Sequence, residues 1–143
     1  MSSSYKLSTA VKALCYLAQV FPEAKSSSEI ADAIGVNASK LRQILSQLMR
    51  SEIVGSTKGP TGGFYVAQDF TSLSLYEIYM ALEDRKILDL DVADASEATD
   101  KSTKQYNEYF DYLFGDIQKQ IEERMQTIKL EHIKDGHDAR KTK

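Results

Sequence analysis

The chain has 143 residues, of which 42% are hydrophobic, and its formal net charge is −3. This length supports one compact core with an appendage and leaves too little chain for a second full domain. No apolar run reaches the roughly 18 residues of a membrane-spanning helix, and residues 1–6 lack the apolar region of a signal peptide. We therefore expect a cytoplasmic protein with no membrane partner.

Charge is distributed unevenly along the chain. Residues 1–70 hold 7 basic against 5 acidic side chains, whereas residues 71–143 hold 11 against 16. A net negative protein can still bind nucleic acid, because binding depends on where the cations lie on the folded surface. The first half is the part in which such a surface is expected.

Cysteine and histidine, which are common ligands of transition metals, are few in this chain. Cys15 is the single cysteine, which excludes an internal disulfide and a multi-cysteine metal site. It lies beside the apolar stripe of the first predicted helix, where a small buried hydrophobic side chain is the ordinary role and a redox switch is the alternative. His132 and His137 are close to two aspartates, but the surrounding polar sequence is typical of a solvated tail. We predict no metal and no cofactor.

Two short helices joined by a tight turn are predicted after a first helix over about 8–20. Ser26 and Glu29 form a capping box at the start of the second helix, and Gly35 is suited to the left-handed residue that ends it. Asn37 is the predicted N-cap of the third helix, over 37–50. Polar and cationic side chains lie on the outer face of that helix and on its flanks: Ser39, Lys40, Arg42, Gln43, Ser46 and Arg50.

A glycine-rich hairpin follows this helix pair and predicts a wing over 56–65. Strand-like residues on either side of the turn favour a β-hairpin, although an ordinary hairpin loop is the alternative. Lys58 is placed to reach phosphate or a narrow minor groove, and Gly62 and Gly63 permit close approach of the backbone. A helix pair followed by a wing predicts the winged helix-turn-helix, whereas the pair alone is equally typical of a neutral helical hairpin.

The sequence of residues 71–143 predicts a short fourth helix, a loop and then one long helix. Ser74 and Glu77 form another capping box, which opens a fourth helix to about Glu83. Residues 85–103 are acidic and predict an exposed flexible loop, residues 104–132 predict the long helix, and residues 133–143 predict a polar tail. The apolar stripe of the long helix is predicted to form a dimer interface, with packing inside one chain as the alternative: Tyr106, Phe110, Leu113, Phe114, Ile117, Ile121, Met125 and Ile128.

Several segments resemble one family of regulators. Residues 6–9 (KLST), 13–18 (ALCYLA), 41–45 (LRQIL) and, most specifically, 58–64 (KGPTGGF) look like the Rrf-two family of bacterial winged-helix regulators, which includes IscR, NsrR and CymR. The resemblance covers about residues 5–84 and continues in outline through the long helix. It implies a homodimer paired through that helix, with the third helix and the wing on double-stranded DNA.

The resemblance also implies roles for individual residues. It assigns Ser39, Lys40 and Gln43 to the major groove, and Lys58 with the two wing glycines to a second groove contact. Family members that bind an iron–sulfur cluster carry three cysteines in the loop before the long helix, and this chain has none there. It therefore resembles a member that responds to another signal or to none.

These patterns predict a mostly α protein with a small β-hairpin, in which residues 1–84 form a winged helix-turn-helix domain. We interpret it as a homodimeric repressor with no enzymatic activity that reads a near-palindromic operator. Lys40, Arg42 and Lys58 are expected to contact phosphates, while Ser39 and Gln43 read base edges. The alternative is a protein-interaction adaptor without DNA binding. A third interpretation adds a small-molecule effector or a regulatory protein partner.

Overall fold

The structure, a computed structural model, describes residues 3–82 and 100–141, with the side chains of residues 4–82 and 100–136. Within these ranges the chain forms six α-helices, a two-stranded hairpin and one 3-10 turn. The fold is therefore mostly α with a small β-hairpin, as the sequence predicts. None of the described helices is long and apolar enough to cross a membrane.

Three helices form the helix-turn-helix unit. They are α1 (Ser3–Val20), α2 (Ser27–Ile34) and α3 (Ala38–Arg50). The first helix begins five residues before its predicted start near Ser8. It packs against both other helices, so that the apolar face of each short helix is buried on α1.

Local capping residues set the ends of the short helices. The Ser26 hydroxyl accepts a hydrogen bond from the Glu29 N–H at 3.1 Å, and the Glu29 carboxylate accepts one from the Ser26 N–H at 3.2 Å. Gly35 ends α2 with a φ of 73°, a left-handed conformation that favours glycine. Asn37 caps α3 by accepting a bond from the Lys40 N–H at 3.1 Å. The predicted caps are confirmed, because they depend on neighbouring residues alone.

The hairpin consists of β1 (Val54–Thr57) and β2 (Gly63–Val66). The two strands are antiparallel, with the first residue of β1 opposite the last residue of β2. A third segment joins them. The Lys25 N–H donates to the Phe64 carbonyl at 3.0 Å, and the Phe64 N–H donates to the Lys25 carbonyl at 2.7 Å. The hairpin is thereby attached to the loop between α1 and α2.

A 3-10 turn (Phe70–Ser72) leads into α4 (Leu75–Ala81). The predicted capping box is present: the Glu77 N–H donates to the Ser74 hydroxyl at 3.3 Å, and the Ser74 N–H donates to the Glu77 carboxylate at 3.2 Å. The predicted end of this helix, near Glu83, lies outside the described residues.

The long helix, α5 (Lys101–Gln126), has different ends from those predicted. It begins earlier because Asp100 is its N-cap, with a carboxylate that accepts a bond from the Ser102 N–H at 3.2 Å. The last residues of the predicted 85–103 loop are therefore helical, and the rest of that loop lies outside the described residues. The predicted 104–132 helix is also too long at its C-terminal end.

The chain forms a sixth helix, α6 (Leu130–Lys141), where the sequence predicts a polar tail over 133–143. The two helices are separated at residues 127–129. There the chain turns and the Leu130 N–H donates to the Leu73 carbonyl at 3.0 Å. Since Leu130 is completely buried, the start of α6 belongs to the core of the winged domain.

One apolar core holds these elements together, and it receives side chains from every helix except α5. The C-terminal half of α5 packs against α4 through a buried hydrogen bond of 2.8 Å, which the Gln118 amide donates to the Tyr79 hydroxyl. Cys15 is half-buried against the core, in the position of a small hydrophobic side chain.

Candidate nucleic-acid interface

The outer face of α3 forms one side of an open groove of about 510 Å³. Leu41, Ile44 and Leu45 are fully buried on the inner face, so the polar residues between them turn outward. The groove contains four of the predicted DNA-binding residues and three further side chains. The lining residues are Lys6, Ser39, Arg42, Gln43, Ser46, Gln47 and Arg50.

Lys40 lies apart from this groove, on a flank of α3 as the sequence pattern predicts, although the family resemblance groups it with Ser39 and Gln43. Its ammonium nitrogen is 5.6 Å from the centre of the Tyr5 ring, a cation–π distance. The helical step from Ser39 to Lys40 rotates the side chain by about 100°, which moves it from the groove to the flank that faces α1. Lys40 is thus positioned against the first helix.

The wing carries Lys58 at the start of its turn, exposed to solvent. The turn closes through a hydrogen bond of 3.0 Å from the Gly62 N–H to the Gly59 carbonyl. Gly59 has a φ of 103°, which L side chains rarely adopt. Lys58 follows the last residue of β1 directly and therefore lies at the tip of the hairpin.

Gly62 and Gly63 both lie so close to other backbone atoms of the protein that a side chain would not fit. A Cβ at Gly62 would collide with the Thr57 carbonyl oxygen, and a Cβ at Gly63 would collide with the backbone of Lys25. The sequence predicts these glycines as points of approach to DNA. Within the protein itself, they allow the wing to close and to pair with the α1–α2 loop.

Replacing Gly63 with alanine is expected to destabilise the protein by about 1–3 kcal/mol, because the added methyl group overlaps fixed backbone. The matched variant is Gly115→Ala. Gly115 lies inside α5, where an added methyl group would meet no other part of the protein within 4 Å, so alanine there should stabilise by about 0.5–1 kcal/mol. Urea denaturation measures both free energies of unfolding. Equal changes at the two positions would contradict the proposed close contact.

The ammonium group of Lys25 forms ion pairs within the protein. Its ammonium group lies 3.2 Å from the Glu23 carboxylate and 3.8 Å from that of Glu29. The hydrogen bond to Glu23 raises the pKa of Lys25. The ammonium group of Lys25 is therefore engaged within the protein, beside the turn end of the wing, rather than presented to a ligand.

Other cations of the interface are not engaged in this way. Among the described residues, Arg42, Arg50 and Lys58 form no ion pair with a carboxylate, and all three are exposed. Arg42 and Arg50 lie in the groove, and Lys58 lies on the wing that follows it. A polyanion that spans groove and wing would gain these charges without breaking an internal salt bridge.

Comparison with known families identifies the class of protein. The family model described as "Rrf2: Iron-dependent Transcriptional regulator" matches residues 3–136. The chain belongs to the Rrf2 family. This finding confirms the resemblance stated from the sequence and agrees with a winged helix-turn-helix fold followed by a long C-terminal helix.

Individual Rrf2 relatives are similar over different lengths. The transcriptional regulator IscR from Escherichia coli K12 is 30% identical over 57 residues, which are 40% of this chain and 35% of IscR. The structure of T. potens IscR has 26% identity and a TM-score of 0.68, covering 94% of this chain and 87% of that one. Staphylococcus aureus CymR, at 18% identity and a TM-score of 0.64 over 91% and 95% of the two chains, shows the shared fold.

The family description raises the question of iron, and the described residues do not fit an iron–sulfur site. Such clusters are held mainly by cysteine thiolates, and Cys15 is the one cysteine of the chain. It is half-buried on α1, against apolar neighbours. Across residues 3–82 and 100–136, no group of three histidine, cysteine or acidic side chains is arranged to hold a metal ion.

Sequence reasoning missed two groove residues, Lys6 and Gln47. Gln47 lies on the edge of the predicted polar face, so its position at 3.6 residues per turn was a usable signal. Its amide also donates a hydrogen bond of 2.8 Å to the Leu82 carbonyl, which ties α3 to the end of α4. Lys6 reaches the groove because α1 packs against α3, and no local pattern predicts that contact.

Proposed function

We propose that the chain is a sequence-specific DNA-binding transcriptional regulator that acts as a homodimeric repressor. The observation that carries this proposal is the groove on α3, where Ser39, Arg42, Gln43 and Arg50 lie together. A recognition helix requires hydrogen-bonding side chains between cations that can reach the flanking phosphates. The groove combines both kinds of side chain on one exposed helix face.

The proposed division of roles follows the chemistry of each side chain. Gln43 can form paired hydrogen bonds with adenine in the major groove, and Ser39 can contact either kind of base. Arg42, Arg50 and Lys58 are cationic side chains, which are suited to phosphates. Lys40, held near Tyr5, contributes charge from the flank of the helix.

The proposed dimer is supported by the exposed N-terminal half of α5. That helix has 26 residues, which correspond to about 39 Å, and its buried residues Gln118 and Met125 lie in its second half. In the first half, Tyr106 is 65% exposed and Phe110 is 39% exposed. A symmetric pairing of two such helices would cover these rings and place two copies of α3 on successive half-sites.

We therefore propose that the winged domain binds DNA and that α5 (Lys101–Gln126), in place of the predicted 104–132 segment, pairs two subunits. Of the eight residues predicted for the interface, Leu113, Phe114, Ile117, Ile121 and Ile128 are half-buried, and Met125 is buried within the chain. Met125 is accordingly less accessible to a partner than Phe110.

The experiment that tests DNA binding compares two variants on two duplexes. Lys58→Ala should weaken binding to operator and to random duplex alike, and should lower the salt dependence of log affinity by about 0.9. Gln43→Ala should lose about 1–3 kcal/mol on the operator alone. Fluorescence anisotropy over a salt series measures both, with an operator found by footprinting the promoter region next to the gene.

Lys12→Ala is the matched control, because Lys12 is exposed on α1 and lies outside the groove. It should bind like the wild-type protein apart from a small long-range charge effect. If Lys58→Ala and Gln43→Ala both match Lys12→Ala, neither the wing nor the groove on α3 contacts DNA. A dimer without any salt-dependent affinity for duplex DNA would instead support the adaptor interpretation.

A further inference from the structure

A second groove, of about 360 Å³, lies between the end of α1, the 3-10 turn and α6. Ala18, Val66 and Phe70 supply apolar surface, and Phe21 stands at the edge with 64% of its surface exposed. This volume is within the roughly 300–1,000 Å³ range of small-molecule sites, which combine an apolar lining with a few polar groups. None of its residues lines the groove on α3.

The rim of this groove is acidic. It carries the carboxylates of Asp69, Glu131 and Asp135 and one ammonium group, that of Lys134. Glu131 and Asp135 are four residues apart on α6, so they lie on the same face and repel each other. Within the part of the chain that the structure describes, neither carboxylate has an ion pair, whereas Asp69 accepts two bonds from Thr71 through one oxygen.

We infer that this groove binds a small organic cation, with its ammonium group against Glu131 and Asp135 and its apolar part over Phe21 and Phe70. The rim disfavours an anion, which would face three carboxylates. A bare metal ion is disfavoured because the described residues offer no three-ligand group there. A cation near an exposed aromatic face gains further attraction within about 6 Å of the ring centre.

A ligand in this groove would contact parts of the fold that are far apart along the chain. The groove joins α6, which follows the long helix, to the 3-10 turn, which precedes α4. Binding to the groove does not require DNA, whereas a role as an effector site rests on the proposed function. The two statements can therefore be tested separately.

The test titrates the full-length protein with 2-phenylethylammonium in the absence of DNA and follows backbone amide chemical shifts. Shifts are expected around Phe21, Phe70 and residues 131–135. The neutral analogue 2-phenylethanol should bind about twofold to fivefold more weakly, and the anion 3-phenylpropanoate more weakly still. Equal affinities for the three probes, shifts confined to other regions, or no saturable binding would each overturn the proposal.

Charge variants sharpen this test. Asp135→Asn should weaken binding of 2-phenylethylammonium about twofold to fivefold, and Lys134→Gln should strengthen it by a similar factor. Asp32→Asn removes the same charge from α2, which packs on α1 and α3, and should leave the affinity unchanged. If Asp135→Asn and Asp32→Asn behave alike, the acidic rim does not hold the ligand. Because no DNA is present, this result leaves the proposed regulator untouched.

Discussion

Replacing Phe110 with glutamate is expected to convert the protein to a monomer and to reduce its affinity for a complete operator by about 10²-fold to 10⁴-fold. The Phe110 ring is 39% exposed and stacks on Phe114, with ring centres 5.6 Å apart and planes within 10°. In a symmetric interface each substitution occurs twice, so two carboxylates would be placed in one apolar contact. The loss of affinity follows because a monomer binds each half-site independently.

Tyr112→Glu is the matched control for this prediction. Tyr112 lies on the same helix and is 72% exposed, but it is two residues from Phe110 and therefore points to a different face. Sedimentation velocity should show a dimer for the control and a monomer for Phe110→Glu. Anisotropy with a complete operator and with a single half-site separates loss of pairing from loss of contact. A Phe110→Glu dimer with wild-type operator affinity would contradict the proposed interface.

Local signals in the sequence predicted the fold well where the structure depends on neighbouring residues. The capping boxes at Ser26 and Ser74, the stop at Gly35 and the cap at Asn37 each involve residues three or four apart. The ends of the long helix could not be predicted in this way. Its apolar stripe continues past Gln126, but the helix ends there, and four residues later the Leu130 N–H donates to the Leu73 carbonyl of the winged domain.

The candidate interface also combines features that depend on neighbouring residues with contacts between distant parts of the chain. The polar face of α3 follows from helical periodicity, and four of its predicted residues do lie in one groove. The cation–π contact of Lys40 is with Tyr5, thirty-five residues earlier, and the Gln47 side-chain amide donates to the Leu82 carbonyl, thirty-five residues later. Contacts between distant parts of the chain carry no period, so a sequence pattern cannot place them.

The glycines of the wing show how one residue type supports two explanations. Close approach of DNA and close approach of the Lys25 backbone both favour glycine at position 63. The sequence alone cannot separate them, because the α1–α2 loop is distant along the chain. The structure adds the second explanation, and the Gly63→Ala variant measures its contribution to stability.

Replacing Leu130 with alanine is expected to cost about 2–5 kcal/mol of the free energy of unfolding. Leu130 has no exposed surface, and truncating a fully buried leucine removes apolar burial and leaves a cavity. The surrounding backbone cannot collapse easily, since the Leu75 N–H donates to the Ile128 carbonyl at 2.8 Å and Lys129 donates to the Ser72 carbonyl at 3.2 Å. Met80→Ala is the control, because the Met80 side chain is 52% exposed. It should lower the free energy of unfolding by less than about 1 kcal/mol.

Urea denaturation at one fixed subunit concentration measures this cost, because the stability of a dimer depends on concentration. A change within about 0.5 kcal/mol for Leu130→Ala would mean that the segment after α5 is a frayed tail. A large change would show that α5 is held at two points, by Gln118 on Tyr79 and by Leu130 in the core. A helix held at both points cannot rotate freely against α3, so its pairing with a second subunit would fix the distance between the two recognition helices.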